Sequence, residues 1–379
     1  MCSLVKNIQS RVEDQKDQLS ISWKILFVNM KILGLNIQNK NVSIHSIVVS
    51  IIQKIYIIWR FYIIISNFKN NYSEKILLNL SITTLYISTL VIAIDLFIIY
   101  KRYLICSMKE LFALSNSKQL NVKSIIMLIA LIWIHAIVYI CYHYFVVLPK
   151  NKRIIDVYNV RTFFGIAITE NISILLVVII KMIFVLFITI PHYFCFVLFI
   201  LICKELETEF VELLRKIEKY TPEDFCREIS HMPKEYTKIK SVADNFQEFY
   251  SKILLIWTIY SGGNIVCNCS WFFSKLTTLE INYISGIFAL NALPFFLFMF
   301  VCNAAARVSI AAKKISTVVY TKSVFCNAFV QDCAYKFSMK CLQDTFQFTG
   351  WNIFLVDRAL VFTIIGIAIS YTVIITQYP

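Results

Sequence analysis

Residues 125–147 read IIMLIALIWIHAIVYICYHYFVV, without one Lys, Arg, Asp or Glu. About 20 predominantly apolar residues carry a helix across the hydrocarbon of a bilayer, so this stretch predicts a membrane-spanning helix within 124–148. Working outward, six further runs of the same kind cover about 43–66, 76–99, 171–203, 252–273, 282–305 and 353–378. The first is the least apolar, because it holds Gln53, Lys54 and Arg60. No ten-residue alternation of apolar and polar positions recurs. That excludes a membrane barrel and leaves an all-α bundle of seven transmembrane helices. The polar stretches 204–244 and 306–352 carry helical charge patterning, as in KELETEFVELLRKIEKY, and predict extensions of the membrane helices into water. With no tandem repeat or low-complexity tract, residues 1–379 read as a single seven-helix membrane domain.

Composition agrees. Hydrophobic residues make up 58% of the chain and charged residues 16%, against about a quarter charged in soluble domains. An ordinary soluble enzyme is thereby excluded, and no constellation suggests catalysis. The 12 cysteines form no CxxC pair or His/Cys cluster, so neither a metal site nor a cofactor is expected. Cys267 and Cys269, near an outer boundary, are the one place for an external disulfide. The start, MCSLVKNIQSRVEDQKDQLS, has no apolar core. It predicts no cleavable signal peptide, which leaves the first span as the insertion signal.

The formal charge is +14, and its placement matters more than its sum. Lysines and arginines number 25 in segments 1–42, 100–123, 204–244 and 306–352, but 7 in the alternate segments. Basic loops stay cytoplasmic, so the N-terminus reads as cytoplasmic and the C-terminus as extracellular. The charge is therefore a topological signal and not a nucleic-acid footprint. The sequons at Asn71, Asn79, Asn171 and Asn268 fall near outer ends, while that at Asn41 falls inside. G-protein-coupled receptors have the opposite orientation.

The last run reads FTGWNIFLVDRALVFTIIGIAISYTVIITQYP, residues 348–379. Within it, SYTVIITQY resembles the C-terminal signature of the insect gustatory receptors: Thr-Tyr, five mostly hydrophobic residues, then Gln-Phe. Ser370 replaces the Thr and Tyr378 the Phe; Tyr371 and Gln377 match. The approach from Gly350 to Leu360, with Phe354, Asp357 and Arg358, also looks like that family. The resemblance implies a gustatory receptor in the plasma membrane of a sensory neuron. It implies a non-selective cation channel opened by a small-molecule tastant. Assembly would be a homotetramer, or a heteromer with other gustatory receptors, whose last helices line one pore. The short chain and the lack of a sugar-receptor pattern lean toward the bitter type.

Ser370, Tyr371, Gln377 and Tyr378 are then the pore or gate residues. Ser370 and Gln377 lie seven apart, on nearly one helical face. A fourfold ring of Gln377 amides offers carbonyl oxygens to a cation, and a ring of Tyr378 makes an aromatic constriction. The plainer reading places both in the interfacial belt, where Tyr is favoured. Asp357 and Arg358 begin the last helix on the inner side. Arg358 either snorkels to the interface or joins Asp357 in a cytoplasmic subunit contact.

A tastant arrives from outside. In the outer half of the third span His135, Tyr139 and His143 are spaced i, i+4, i+8 and share one face. Thr84 and Tyr86 on the second span, and Tyr283 and Asn291 on the sixth, complete a candidate ligand pocket. Ordinary packing of polar aromatics is the competing account. Asp95 and Lys181 suggest a buried ion pair. Asn303 with Ala304, Ala305 and Ala306 suggests close helix packing, and Gly262–Gly263 a kink or a close approach. Three other identities compete: an odorant receptor subunit, a metabotropic seven-helix receptor of reversed orientation, and, less favoured, a secondary transporter, which would show paired broken helices in related halves.

Overall fold

The computed structural model describes residues 21–36, 43–69, 74–114, 122–142, 162–163, 166–167, 176, 178–180, 182–275, 281–343 and 346–377. Helix α1 spans Ile21–Ile32, α2 Ile44–Lys69, α3 Glu74–Ile99, α4 Lys101–Leu114 and α5 Val122–Tyr142. A two-residue antiparallel pair follows, β1 Thr162–Phe163 with β2 Ile166–Ala167. A π-helical turn, Val185–Thr189, leads into α6, Ile190–Lys219. Then come α7 Pro222–Glu228, α8 Met232–Lys275, α9 Ile281–Ser323 and α10 Ala328–Gln343. A hairpin of β3 Thr349–Gly350 and β4 Phe354–Leu355 precedes α11, Arg358–Gln377.

Apart from the start of the last one, the described part of each apolar run lies almost wholly on a helix. By length and composition, 44–66, 125–142, 178–219 and 292–323 are long enough to cross a membrane, with shorter apolar stretches at 87–99 and 358–371. The expected polar extensions are present: α6, α8 and α9 continue unbroken far past their apolar halves. One boundary needs correction. The last span begins at Arg358 and not at 353, because residues 349–355 fold into the hairpin.

Helix α6 is the axis of the bundle. From Ile190 to Phe199 every side chain is buried, as expected of a helix that is apolar all round. It packs on α8 and α9, and its leading turn touches α2, α3 and α5. Beyond the apolar layer the buried stripe continues at Leu206, Phe210, Leu213 and Ile217. This i, i+3/i+4 spacing lets the polar extensions form a water-side bundle with α10. Ser316 of α9 and Ser338 of α10 meet at 2.8 Å between hydroxyls. Arg307 pairs with Glu207 at 2.8 Å and Lys216 with Glu235 at 2.6 Å. Helix starts are capped as their sequences dictate. Thr221 Oγ1 accepts from Asp224 N at 3.2 Å ahead of α7, and Asn327 Oδ1 from Val330 N at 2.9 Å ahead of α10.

Where α1 ends, Leu35 N donates to Met30 O at 2.8 Å and Gly34 N to Lys31 O at 3.1 Å. This is a Schellman closure with Gly34 at the left-handed position, φ 83°. A Cβ there would also lie 2.9 Å from Val49 Cγ2 of α2. Gly34→Ala is therefore expected to destabilise the protein by about 2–3 kcal/mol, through left-handed strain and overpacking together. A Cβ on Gly366, by contrast, meets nothing within 4 Å. Thermal inactivation of the purified protein in detergent checks this: Gly34→Ala inactivates at lower temperature, and Gly366→Ala does not.

Candidate pore helix and ligand site

Helix α11 packs one face on α8 and α9. That face is Val361, Ile364 and Ala368, all buried. At 3.6 residues per turn, Thr363, Gly366 and Ser370 fall on the opposite side, and all three are exposed. Both hydroxyls bond only their own helix among the described residues, Thr363 to Ala359 O at 3.1 Å and Ser370 to Gly366 O at 2.9 Å. Gln377, the last residue of α11, occupies the same strip seven positions on from Ser370; its side chain is not described. Tyr371 is exposed but lies about 100° around the helix from Ser370, off the strip, so the structure does not bring this expected pore residue together with Ser370. Tyr378 lies outside the described residues. An apolar helix thus turns a narrow strip of small and polar positions away from the rest of its own chain.

The base of α11 is pinned. Asp357 Oδ1 accepts from Leu360 N at 3.1 Å and so caps the helix. Arg358 Nε donates to Asn303 Oδ1 of α9 at 2.9 Å, so the guanidinium holds two helices together, with Asn303 as its acceptor. A cleft of about 250 Å³ opens there, lined by Lys313, Gln347, Asp357 and Arg358 among others. The hairpin is clamped to α8: Trp351 N donates to Ser251 O at 2.9 Å, and Gln247 Oε1 accepts from Thr349 N at 3.0 Å. Its tip holds Trp351 and Asn352 at φ 48° and 59°. A Cβ on Gly262 would make only an ordinary 3.7 Å contact with Ile364 of α11, and one on Gly263 would meet nothing within 4 Å, so neither glycine is needed for a close approach. Helix α8 stays helical through the pair, without a break.

The polar residues of the first span find partners, Gln53 and Arg60 by turning inward and Lys54 from an exposed position. Gln53 is fully buried and donates through Nε2 to Phe187 O of the π turn. The reason lies in the sequence: Phe187 O would normally take the N–H of residue 191, and that residue is proline. Arg60 is buried at 3% exposure, and its Nε donates to Thr84 Oγ1 at 3.3 Å. Lys54 lies 3.8 Å from Asp95, which also accepts from Ser50 Oγ at 3.3 Å. Asp95 thus has its partner on α2; Lys181, the expected one, lies outside the described residues.

Around the π turn the structure gathers an aromatic and polar wall. Tyr56 stacks on Phe184 at 5.8 Å. His135 and Tyr139 of α5 lie 6.5 Å apart, and His135 is 5.8 Å from Tyr193 of α6. Of the expected pocket, His135 and Tyr139 are half-buried and adjoin, and Thr84 is buried under Arg60. Tyr86, Tyr283 and Asn291 sit on α3 and α9 with side chains not described, and His143 lies outside the described residues.

Sequence reading missed Tyr193 and His192. His192 is 1% exposed, with Phe196 at 4.7 Å, Tyr260 at 4.9 Å and Trp257 at 5.7 Å. Neither ring nitrogen, nor Trp257 Nε1, has a hydrogen-bond partner among the described residues. Its one sequence signal was the Pro-His pair inside a long apolar run. On the water side, Tyr103 donates to Glu248 Oε2 at 2.8 Å. Burial, reinforced by that carboxylate, pushes its phenol up to about 12. Among the described residues no group of His, Cys, Asp and Glu is placed to hold a metal ion.

Two solved structures share the fold. The olfactory receptor OR5 of the insect Machilis hrabei, in complex with eugenol, aligns with a TM-score of 0.65 at 14% identity, over 94% of this chain and 97% of that one. A second structure of the same olfactory receptor aligns with the same score and coverage at 16% identity. No curated protein matches the sequence. The sequence matches the model of the 7tm chemosensory receptors across residues 33–378, and the chain belongs to that family.

Proposed function

We propose that this receptor is a gustatory, ligand-gated, non-selective cation channel, opened by a small-molecule tastant of the bitter type. The observation that carries the channel reading is the strip Thr363–Gly366–Ser370 on α11, exposed directly opposite its packed face. Polar groups on a membrane helix face water or protein, not lipid. Four copies arranged about an axis, each presenting this strip, enclose a hydrated path, with Gln377 toward one end. The hairpin and the Arg358–Asn303 bond hold the base of that helix against α8 and α9. The gustatory reading rests on the SYTVIITQY signature at 370–378.

Ligand enters the wall around the π turn, where His135, Tyr139 and Tyr193 supply stacking surfaces and hydrogen-bonding edges. The solved olfactory receptor was captured with eugenol, a small molecule. That observation also favours a second reading, an odorant receptor subunit with the same pore. In both, the ligand binds the open state better and shifts the population toward it.

The N-terminus is cytoplasmic and the C-terminus extracellular, by the 25-to-7 bias of basic residues. The test combines topology and current. An epitope fused after Pro379 is expected to stain intact transfected cells, and bitter compounds, applied as a panel, are expected to evoke cation current. Staining only after permeabilisation, on protein proven to be at the surface, sinks the orientation and favours the metabotropic alternative. Surface receptor that passes current to odorants and to no bitter compound transfers the chain to the second reading.

A further inference from the structure

On the water-side bundle, α4, α8 and α10 enclose an open groove of about 670 Å³, lined by Glu110, Leu114, Lys234, Lys238, Ser241 and Lys340 among others. Lys234 and Lys238 are four residues apart and so lie on one face of α8. Lys340 enters from α10, near its end. All three lysines are exposed, and none has an acidic partner within ion-pair distance among the described residues. Their neighbours differ: Lys216, Lys240 and Lys336 are each paired with a carboxylate. The one acid on the groove, Glu110, accepts from Asn245 Nδ2 at 3.0 Å. The lining therefore keeps an excess of positive charge, carried by α8 and α10.

We propose that this groove binds a polyphosphate-bearing anion, a phosphate ester with several phosphoryl groups. Ammonium groups offered to one groove from two helices suit phosphate oxygens that spread over several ångströms. The Ser241 hydroxyl lies among them as a further donor. Depth bears on the source of the phosphate. Lys238 precedes Lys252, where the fifth apolar run begins, by 14 residues, roughly 21 Å of helix. That places the groove below the reach of the headgroup layer and favours a soluble phosphate ester over a lipid. Its placement in the cytosol rests on the orientation proposed above; the binding itself does not.

The test uses the full-length receptor purified into nanodiscs, which expose both faces, so an error in orientation does not remove the signal. Inositol hexakisphosphate, titrated calorimetrically at low and high salt, is expected to bind saturably and more weakly as salt rises. The triple variant Lys234→Gln, Lys238→Gln, Lys340→Gln is expected to lose at least about 30-fold in affinity, each ammonium contributing through charge-assisted hydrogen bonds. The double variant Lys219→Gln, Lys314→Gln, two exposed lysines outside the groove, is expected to stay within about threefold. Discs carrying phosphatidylinositol bisphosphate distinguish the sources. Unchanged binding there supports a soluble ligand, whereas competition lost in the triple variant keeps the site and assigns its phosphate to lipid. No saturable binding in either disc, or a triple variant that binds as tightly as the parent, overturns the proposal.

Discussion

Ser370→Trp is expected to abolish cation current, by about 20-fold or more, while leaving surface abundance unchanged, as in pores that close at an apolar constriction. In the folded chain Ser370 is exposed, and its hydroxyl bonds Gly366 O of its own helix. A larger side chain therefore disturbs no packing within the subunit. In the proposed tetramer, four indoles from equivalent positions converge on the axis and fill the path. Ile369→Trp is the control. Ile369 is also exposed but is rotated by about 100° from Ser370 on the helix, so current should persist. Surface biotinylation with whole-cell recording of basal and ligand-evoked current decides between them. If both variants conduct, the strip does not face a pore. If both are silent and absent from the surface, α11 is a packing helix on all sides. A milder change, Gln377→Leu, should alter ion selectivity before it alters expression, because it removes amide oxygens from the same strip.

The strip also shows what a sequence conveys. The heptad spacing of Ser370 and Gln377 was visible, but the packed face that makes the strip outward was not. It depends on α8 and α9, which approach Val361, Ile364 and Ala368 from far along the chain. Apolar length located the helices, because twenty consecutive apolar residues have few other uses. It failed at 353–357, where Gly350 and Phe354 form a hairpin and Asp357 caps the following helix. The cap was legible as Asp three residues before an apolar run, a common helix-start pattern, yet the membrane reading absorbed it. In the wall proposed to receive ligand, His135 and Tyr139 were paired by their spacing on one helix. Tyr193 was missed because nothing local ties α6 to α5. Likewise Gln53, Lys54 and Arg60 made the first span look weak, since their partners Phe187, Asp95 and Thr84 are known only once the helices have packed.

Gln53 supplies the second large effect. Gln53→Leu is expected to lower stability by about 1–3 kcal/mol, because it strands Phe187 O without a donor in a region closed to water. Hydrophobicity argues the other way: leucine suits a lipid-facing helix better than glutamine. The geometry decides, since Gln53 is fully buried and its Nε2 donates to that carbonyl. Pro191 has no N–H to offer that carbonyl at the α-helical i+4 position. Restoring the N–H with Pro191→Ala should therefore rescue Gln53→Leu, while Pro191→Ala alone changes stability little, its new donor meeting an acceptor already satisfied. The double-mutant cycle, read from thermal inactivation of the purified receptor, should show coupling of about 1–2 kcal/mol in the favourable direction. Simple additivity would mean that the π turn closes its own hydrogen bonds and that Gln53 acts only as filler. A positive cycle, accompanied by weakened ligand response in the double variant, would mean more. The π turn carries Phe184, Phe187 and the start of α6 past α2, α3 and α5. Straightening it would then move Tyr193 against His135, linking the irregular backbone to the wall where ligand is proposed to bind.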